Sequence, residues 1–280
     1  MGSQAATTSV NETGWAASLR LGFEHARGKT VLRHREQRGP LAVQRTFHPE
    51  GDVCHLYLLH PPGGVVGGDR LEIEANLTDK SAALITTPGA TKFYRSAGAQ
   101  AKQIQNLAID SGSMEWFPQE NIFFPGARIQ LSTTIHLNGD AHFIGWEINS
   151  LGRPTVGERF EQGEVDLRLR INRDQRPLLI DRLVITDIES QQGTATLRDC
   201  PVVATMLATT ATSDELELAR KIAQENPDAN LGFTLVDGLL VGRYLGESTE
   251  KARNLFIQTW MAIRPSILGR DAVAPRIWAT

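Results

Sequence analysis

Most of the first 210 residues alternate between apolar and polar side chains, and a period of two commits a chain to extended strands with one packed face and one wet face. Val165, Leu167, Leu169 and Ile171 interleave with Asp166, Arg168 and Arg170 in this way. Asn138-Gly139 separates the strand-like runs 129–137 and 141–148, and Asp237-Gly238 separates 231–236 and 239–245. Both dipeptides predict hairpins, because a type I′ turn needs positive φ at two adjacent positions. The expected body is therefore mainly β.

Helical spacing is confined to the C-terminal third. Thr212-Ser213-Asp214-Glu215 reads as a capping box opening a helix that ends before Pro227, with Leu216, Ala219, Ile222 and Ala223 as its buried stripe. A second helix is expected over 248–263, carrying Ala252, Leu255, Phe256, Trp260 and Ile263 on one face and stopped by Pro265. Neither a repeat nor a low-complexity linker breaks the 280 residues. The reading is one β-rich domain over 28–280, preceded by a variable tail, 1–27, of low apolar pattern.

A net charge of −3 gives no overall attraction to nucleic acid or to an anionic membrane. The N-terminus shows no leader pattern and no apolar run approaches the ~20 residues that span a bilayer, so a soluble cytoplasmic protein is expected. Two cysteines, Cys54 and Cys200, are too few for a disulfide framework and are expected reduced, with one bridge left open.

The run His60-Pro61-Pro62-Gly63-Gly64-Val65-Val66-Gly67-Gly68-Asp69 fixes an unusual backbone path. Its prolines hold φ near −65° and remove two donors, while paired glycines permit positive φ or a close approach. A phosphate loop needs a lysine and a hydroxyl after its last glycine, whereas Asp69-Arg70 follow here. The dinucleotide fingerprint fails as well, since its spacing is wrong and the next residues alternate like a strand. Taken alone, Pro62, Gly63, Gly64, Gly67 and Gly68 make a structural turn.

Metal and nucleophile patterns are equally sparse. On a strand, Cys54 and His60 share one face with Leu56 and Leu58, whereas His55 lies on the other with Tyr57 and Leu59. The closely spaced ligand set of a permanent metal site is absent. No nucleophile elbow occurs, Ser113 follows Gly112 at an expected turn, and Glu158 with Glu161 reads as a solvated acid pair.

The glycine-rich loop keeps informative company. Thr86-Thr87-Pro88-Gly89-Ala90-Thr91-Lys92-Phe93-Tyr94-Arg95-Ser96, Trp116-Phe117-Pro118-Gln119-Glu120-Asn121-Ile122, Gly152-Arg153-Pro154 with Gly157-Glu158, and Pro275-Arg276-Ile277-Trp278 all occur in one chain. Together with the loop they resemble the urease accessory protein UreD (UreH) family, from about Arg38 to the last residue. The resemblance implies an elongated, stacked-sheet body somewhat like a β-helix. It also implies a non-catalytic scaffold that binds apo-urease and joins a helical partner, UreF, and a GTPase, UreG, in delivering nickel to the urease active site. Nickel would be cargo in transit and not a resident cofactor, moving through a hydrated internal passage. Self-association into a homodimer is left open.

A hydrated divalent ion needs carboxylates, carbonyls or water along such a route, none of which may hold it tightly. Asp69, Glu120 and Glu158 each sit beside irregular backbone in a matched motif and are the candidates for lining or supporting it. Each has a structural alternative: Asp69 bonding the backbone of its own loop, Glu120 pairing Lys92 or Arg95, and Glu158 pairing Arg153 or Arg159. Lys92, Tyr94 and Arg95 are candidates for a partner-facing surface. Trp278 is another, unless the closing segment tucks into its own core. The competing classes are a β-rich hydrolase, which would cluster Glu158, Glu161 and a histidine in a pocket, and a small-ligand module built on the glycine loop.

Overall fold

The computed structural model describes residues 14–78 and 80–279. Strands follow in chain order as β1 (Ala16–Ala26), β2 (Lys29–Arg38), β3 (Ala42–Val43), β4 (Cys54–Leu59), β5 (Arg70–Leu77), β6 (Ala82–Thr86), β7 (Thr91–Phe93), β8 (Ala101–Asp110) and β9 (Ser113–Phe117). They continue as β10 (Asn121–Phe123), β11 (Arg128–Asn138), β12 (His142–Arg153), β13 (Glu158–Arg159), β14 (Gln162–Arg173), β15 (Arg176–Asp187), β16 (Val202–Ala208), β17 (Asn230–Val236) and β18 (Leu239–Gly246). Three α-helices, α1 (Ile188–Gln192), α2 (Ser213–Glu225) and α3 (Thr249–Leu268), lie in the C-terminal third.

Successive strands alternate between two sheets. The first runs β15-β14-β11-β8-β5-β1-β2 and the second β17-β18-β16-β12-β9-β6-β4-β3. β1, β5, β8, β11 and β14 stack in parallel, as do β4, β6, β9 and β12. The chain therefore coils, one rung upon the next, as in a β-helix. A short third ladder joins β7 and β10 to the C-terminal part of β12.

Burial separates three layers. Leu71, Ile73, Leu131, Leu167 and Leu169 of the first sheet meet Met114, Trp116, Phe143 and Leu207 of the second in one apolar core. The reverse face of the second sheet, with Phe117, Ile144, Trp146 and Met206, packs a second core against Ala219 of α2 and Leu255, Phe256, Trp260 and Ile263 of α3. Burying a side chain of this size contributes roughly 1.5–3 kcal/mol.

One charged network fastens α3 to the second sheet. The fully buried Arg264 donates from Nε to Glu115 Oε1 at 2.9 Å and from Nη2 to Glu115 Oε2 at 2.8 Å, and its Nη1 lies 2.7 Å from Glu50 Oε2. Trp260 Nε1 donates to Glu115 at 2.6 Å, and His55 Nε2 sits 2.6 Å from Glu50 Oε1. Burial alone would lower the Arg264 pKa, but its hydrogen bonds to Glu115 and Glu50 outweigh it and raise the value.

Sequence expectations fare unevenly at this level. Asp237 and Gly238 take φ of 49° and 75°, and β17 and β18 pair antiparallel across them, as a type I′ hairpin requires. Thr212 caps α2 with a reciprocal box to Glu215, worth about 1 kcal/mol. Asn138-Gly139, by contrast, is no hairpin: β11 pairs β8 and β14 in the first sheet, while β12 crosses to the second. The physical reason is burial. β12 is buried on both faces and belongs in the middle layer, and the place beside β11 is filled by β14.

Pro265 does not stop α3 either. Pro265 and Met261 lie on the exposed face, where the carbonyl that proline leaves unpaired can reach solvent, while Arg264 and Ile267 anchor the opposite face. The helix ends at Gly269, which takes φ of 66°. Residues 16–26 differ from the tail reading, since Ala17, Leu19, Leu21 and Phe23 of β1 are buried between β2 and β5. Residues 1–13 of that tail lie outside the described residues.

Candidate functional site

The motifs that stand apart in sequence occupy the same corner of successive coils. Residues 60–69 join β4 to β5, 87–100 join β6 to β8 through β7, 118–127 join β9 to β11 through β10, and 154–161 join β12 to β14 through β13. Val65, inside the glycine loop, enters the third ladder by bridging Phe93: its N–H donates to Lys92 O at 2.7 Å and its carbonyl accepts from Tyr94 N at 2.9 Å. Phe93 stacks on Phe123 at 5.0 Å between ring centroids, and Asn121 Nδ2 donates to Asn149 Oδ1 at 3.0 Å. Gly64 packs so closely that a Cβ there would meet Tyr94 Cε2 at 2.2 Å.

Behind this corner lies a cavity of about 320 Å³. Its mouth is formed by exposed Pro61, Gly63, Pro88, Gly89 and Lys92, and its floor by buried Gln103, Gln105, Trp116 and Glu147. Glu147 also borders a slot of about 10 Å³ with Thr133 and Thr205, and a pocket of about 40 Å³ reaching Asp181 and Arg243. That last pair is half exposed, with Arg243 Nη1 2.6 Å from Asp181 Oδ2. A line of polar groups thus crosses the apolar inter-sheet core from the glycine-rich corner to the opposite flank, with Glu147 where the cavities adjoin.

Among the described residues Glu147 forms no ion pair, although Arg243 shares its pocket. Its carboxylate meets the Thr133 hydroxyl, which also lies 3.0 Å from Gln105 Oε1. Burial pushes the Glu147 pKa up to about 7, opposed by the Thr133 hydrogen bond. At the mouth, burial lowers the His60 pKa, with Asp69 acting in the other direction.

Sequence-derived candidates distribute around this cavity without lining it together. Asp69 is buried and holds the loop: Oδ1 accepts from Trp15 N at 2.8 Å and Oδ2 from Val66 N at 2.9 Å. Glu120 pairs neither Lys92 nor Arg95. Its Oε2 lies 3.6 Å from Arg253 Nη1 with no hydrogen-bond partner, and Arg253 donates instead to Gln119 Oε1. Glu158 is taken by Arg153, which donates from Nε at 2.8 Å and Nη2 at 3.0 Å, so it braces the surface away from the cavity. Glu161 is exposed, and neither it nor Glu158 meets a histidine in a pocket.

Lys92, Tyr94 and Arg95 are exposed, and Tyr94 packs on Phe124 at 4.9 Å with Arg153 Cζ 4.9 Å above the same ring. Trp278 is half-buried against the second core. Its ring packs among Phe117, Trp146 and Trp260, and Nε1 donates to Thr86 Oγ1 at 3.0 Å. Cys54 is buried, which pushes its thiol up to about 12, and Cys200 is also free. Among the described residues, no group of three or more His, Cys, Asp or Glu side chains could hold a metal ion, and no helix is long and apolar enough to cross a membrane.

Sequence reasoning passed over Glu147. The signal was present: it is the only charged side chain between His142 and Arg153, in a strand dominated by apolar residues on both faces, so its burial was foreseeable.

Comparison with known proteins matches the UreD urease accessory protein family over residues 16–279. A urease accessory protein UreD from Alcanivorax borkumensis is 48% identical over 285 aligned residues, covering 100% of this chain and 97% of the relative. Proteins of the same description from Aliivibrio fischeri strain MJ11 and Escherichia coli are 45% and 44% identical, covering 97% and 96% of this chain and 98% of each relative.

Proposed function

Because the chain belongs to the UreD family of urease accessory proteins, we propose that it is a non-catalytic scaffold that binds apo-urease and assists nickel insertion, with the inter-sheet cavity as part of the ion's route. The observation that carries this reading is the line of polar groups from the Gly63–Lys92 mouth to the Asp181–Arg243 flank, through a core that is otherwise apolar. An apolar core gains nothing from Gln103, Gln105, Thr133, Glu147 and Thr205, since buried polar groups cost stability unless satisfied. Amide and hydroxyl oxygens can replace a cation's hydration without trapping it, whereas a thiolate or imidazole cluster would.

In this reading Asp69 supports the passage by fixing the mouth loop, and Glu120 and Glu158 brace the same corner. The exposed Lys92, Tyr94 and Arg95 are proposed to face a partner, with Tyr94 and Arg153 as anchors on Phe124. The helical accessory protein UreF, and the GTPase UreG through it, are the proposed partners besides urease, in the cytoplasm.

The test is co-expression of apo-urease and the other accessory proteins with and without this chain, followed by nickel content and urea hydrolysis of the purified urease. Nickel-loaded, active urease only in the presence of the chain is the expected result. Equal loading without it overturns the proposal.

A further inference from the structure

We propose that Glu147 is a proton-exchanging gate in this passage, giving up its proton when a divalent cation occupies the cavity beside it. The inference rests on the passage reading and adds the group that regulates it. Position comes first, since Glu147 borders all three adjoining spaces and is the only acid on the cavity floor.

Hydrogen-bond counting supplies an independent reason. Thr133 Oγ1 is within bonding distance of both Glu147 Oε1 and Gln105 Oε1, yet a hydroxyl carries one hydrogen. An ionised Glu147 and an amide oxygen are both acceptors and would compete for it. A protonated Glu147 donates to Thr133, which then donates to Gln105, and the chain closes. The ionised form is satisfied only when Gln105 turns its amide to offer Nε2–H, so the two states differ in that side chain's orientation.

Surrounding charge favours the neutral form. Asp181 on β15 opposes ionisation, and Arg243 on β18, engaged by Asp181 and Thr205, favours it less strongly. Gln105, Trp116, Thr133 and Leu169, from β8, β9, β11 and β14, carry no charge. His60 and Lys92 stand at the far mouth of the large cavity. An arriving divalent cation supplies the missing countercharge: the Glu147 O–H bond breaks, the proton passes to water and leaves, and the buried site gains one net charge instead of two. When the ion moves on, the carboxylate takes a proton back from water.

The test uses the assembled complex of the chain with apo-urease and the other accessory proteins, loaded with nickel at pH 6 to 8. With a midpoint of about 7, nickel loading relative to Glu147→Gln should rise about tenfold from pH 6 to pH 8. Adding nickel at pH 6 should release about one more proton per complex than from Glu147→Gln, an excess that fades towards pH 8. Thr133→Val, which removes the hydroxyl shared by Glu147 and Gln105, should move the midpoint, and it carries the test alone if Glu147→Gln fails to assemble. A Glu147→Gln complex that loads and releases protons like the parent, or an unmoved Thr133→Val midpoint, overturns the gate. Gly89→Trp, whose Cβ meets open space at the mouth, separates the two readings. If it blocks loading while Glu147→Gln does not, the gate alone falls; if neither affects loading, the passage falls with it.

Discussion

Glu115 and Glu147 are buried carboxylates on neighbouring strands of one sheet, facing opposite ways, and they have opposite surroundings. Glu115 faces α3 and is closed in by Arg264 and Trp260. Glu147 faces the first sheet across a cavity and meets a single hydroxyl. One carboxylate is paired with a buried guanidinium, while the other has no ion-pair partner. The difference separates an acid that fastens two layers from one whose charge can change.

The largest effect should come from breaking the fastened side. Arg264→Met leaves Glu115 and Glu50 buried without their cation and should cost roughly 3–5 kcal/mol, read by urea denaturation of the chain in complex. If stability is unchanged, the network does not fasten α3 and the contrast collapses.

Glu147→Gln sharpens the comparison by its sign. A carboxyl whose folded pKa is raised from 4.5 to about 7 binds more protons folded than unfolded in that window, so stability falls as pH rises through it. The glutamine variant should match the parent below pH ~4.5 and exceed it above pH ~7, by a few kcal/mol at most. Paired melts at pH 5 and pH 8 check this, and a gap that closes with rising pH contradicts it. Glu50, lowered because hydrogen bonds from His55 and Arg264 outweigh burial, should show the reverse: its stabilisation is present above the ordinary carboxylate value and lost as pH falls below it.

Smaller losses are expected at the corner. Asp69→Ala strips two backbone donors of their acceptor and should cost about 1–3 kcal/mol, with nickel loading reduced through a loosened mouth. Glu158→Ala should cost no more than about 1 kcal/mol, because its partner Arg153 is solvent-exposed, and urease binding should persist. A larger stability loss at Glu158 than at Asp69 would reverse the ranking.

The sequence showed the β class, the 237–238 hairpin, the α2 cap and the corner motifs, because each depends on local geometry or on a run of residues read in order. It did not show that Asn138-Gly139 turns between sheets, since that depends on which slot beside β11 is occupied. Pro265 misled for a similar reason: whether a proline ends a helix depends on which face of the helix is wet. Asp69, Glu120 and Glu158 stand out through their unusual neighbours, yet Asp69 is spent on backbone, Glu158 on Arg153, and Glu120 lies 3.6 Å from Arg253 without lining the cavity. Glu147 sits in an unremarkable strand, and only the fold shows that it has no ion-pair partner.

The parallel pairing of β1 with β5 also sets an order on synthesis. Residues 16–38 can form the β1–β2 hairpin as soon as they emerge, but the other edge of β1 stays unpaired until residues 70–77 have been made and the intervening coil has closed. During that interval a strand with Leu19, Leu21 and Phe23 on one face presents open backbone to any extended neighbour. Slow translation between residues 39 and 77 should therefore favour aggregation of nascent chains, and a chaperone acting early would act on that edge.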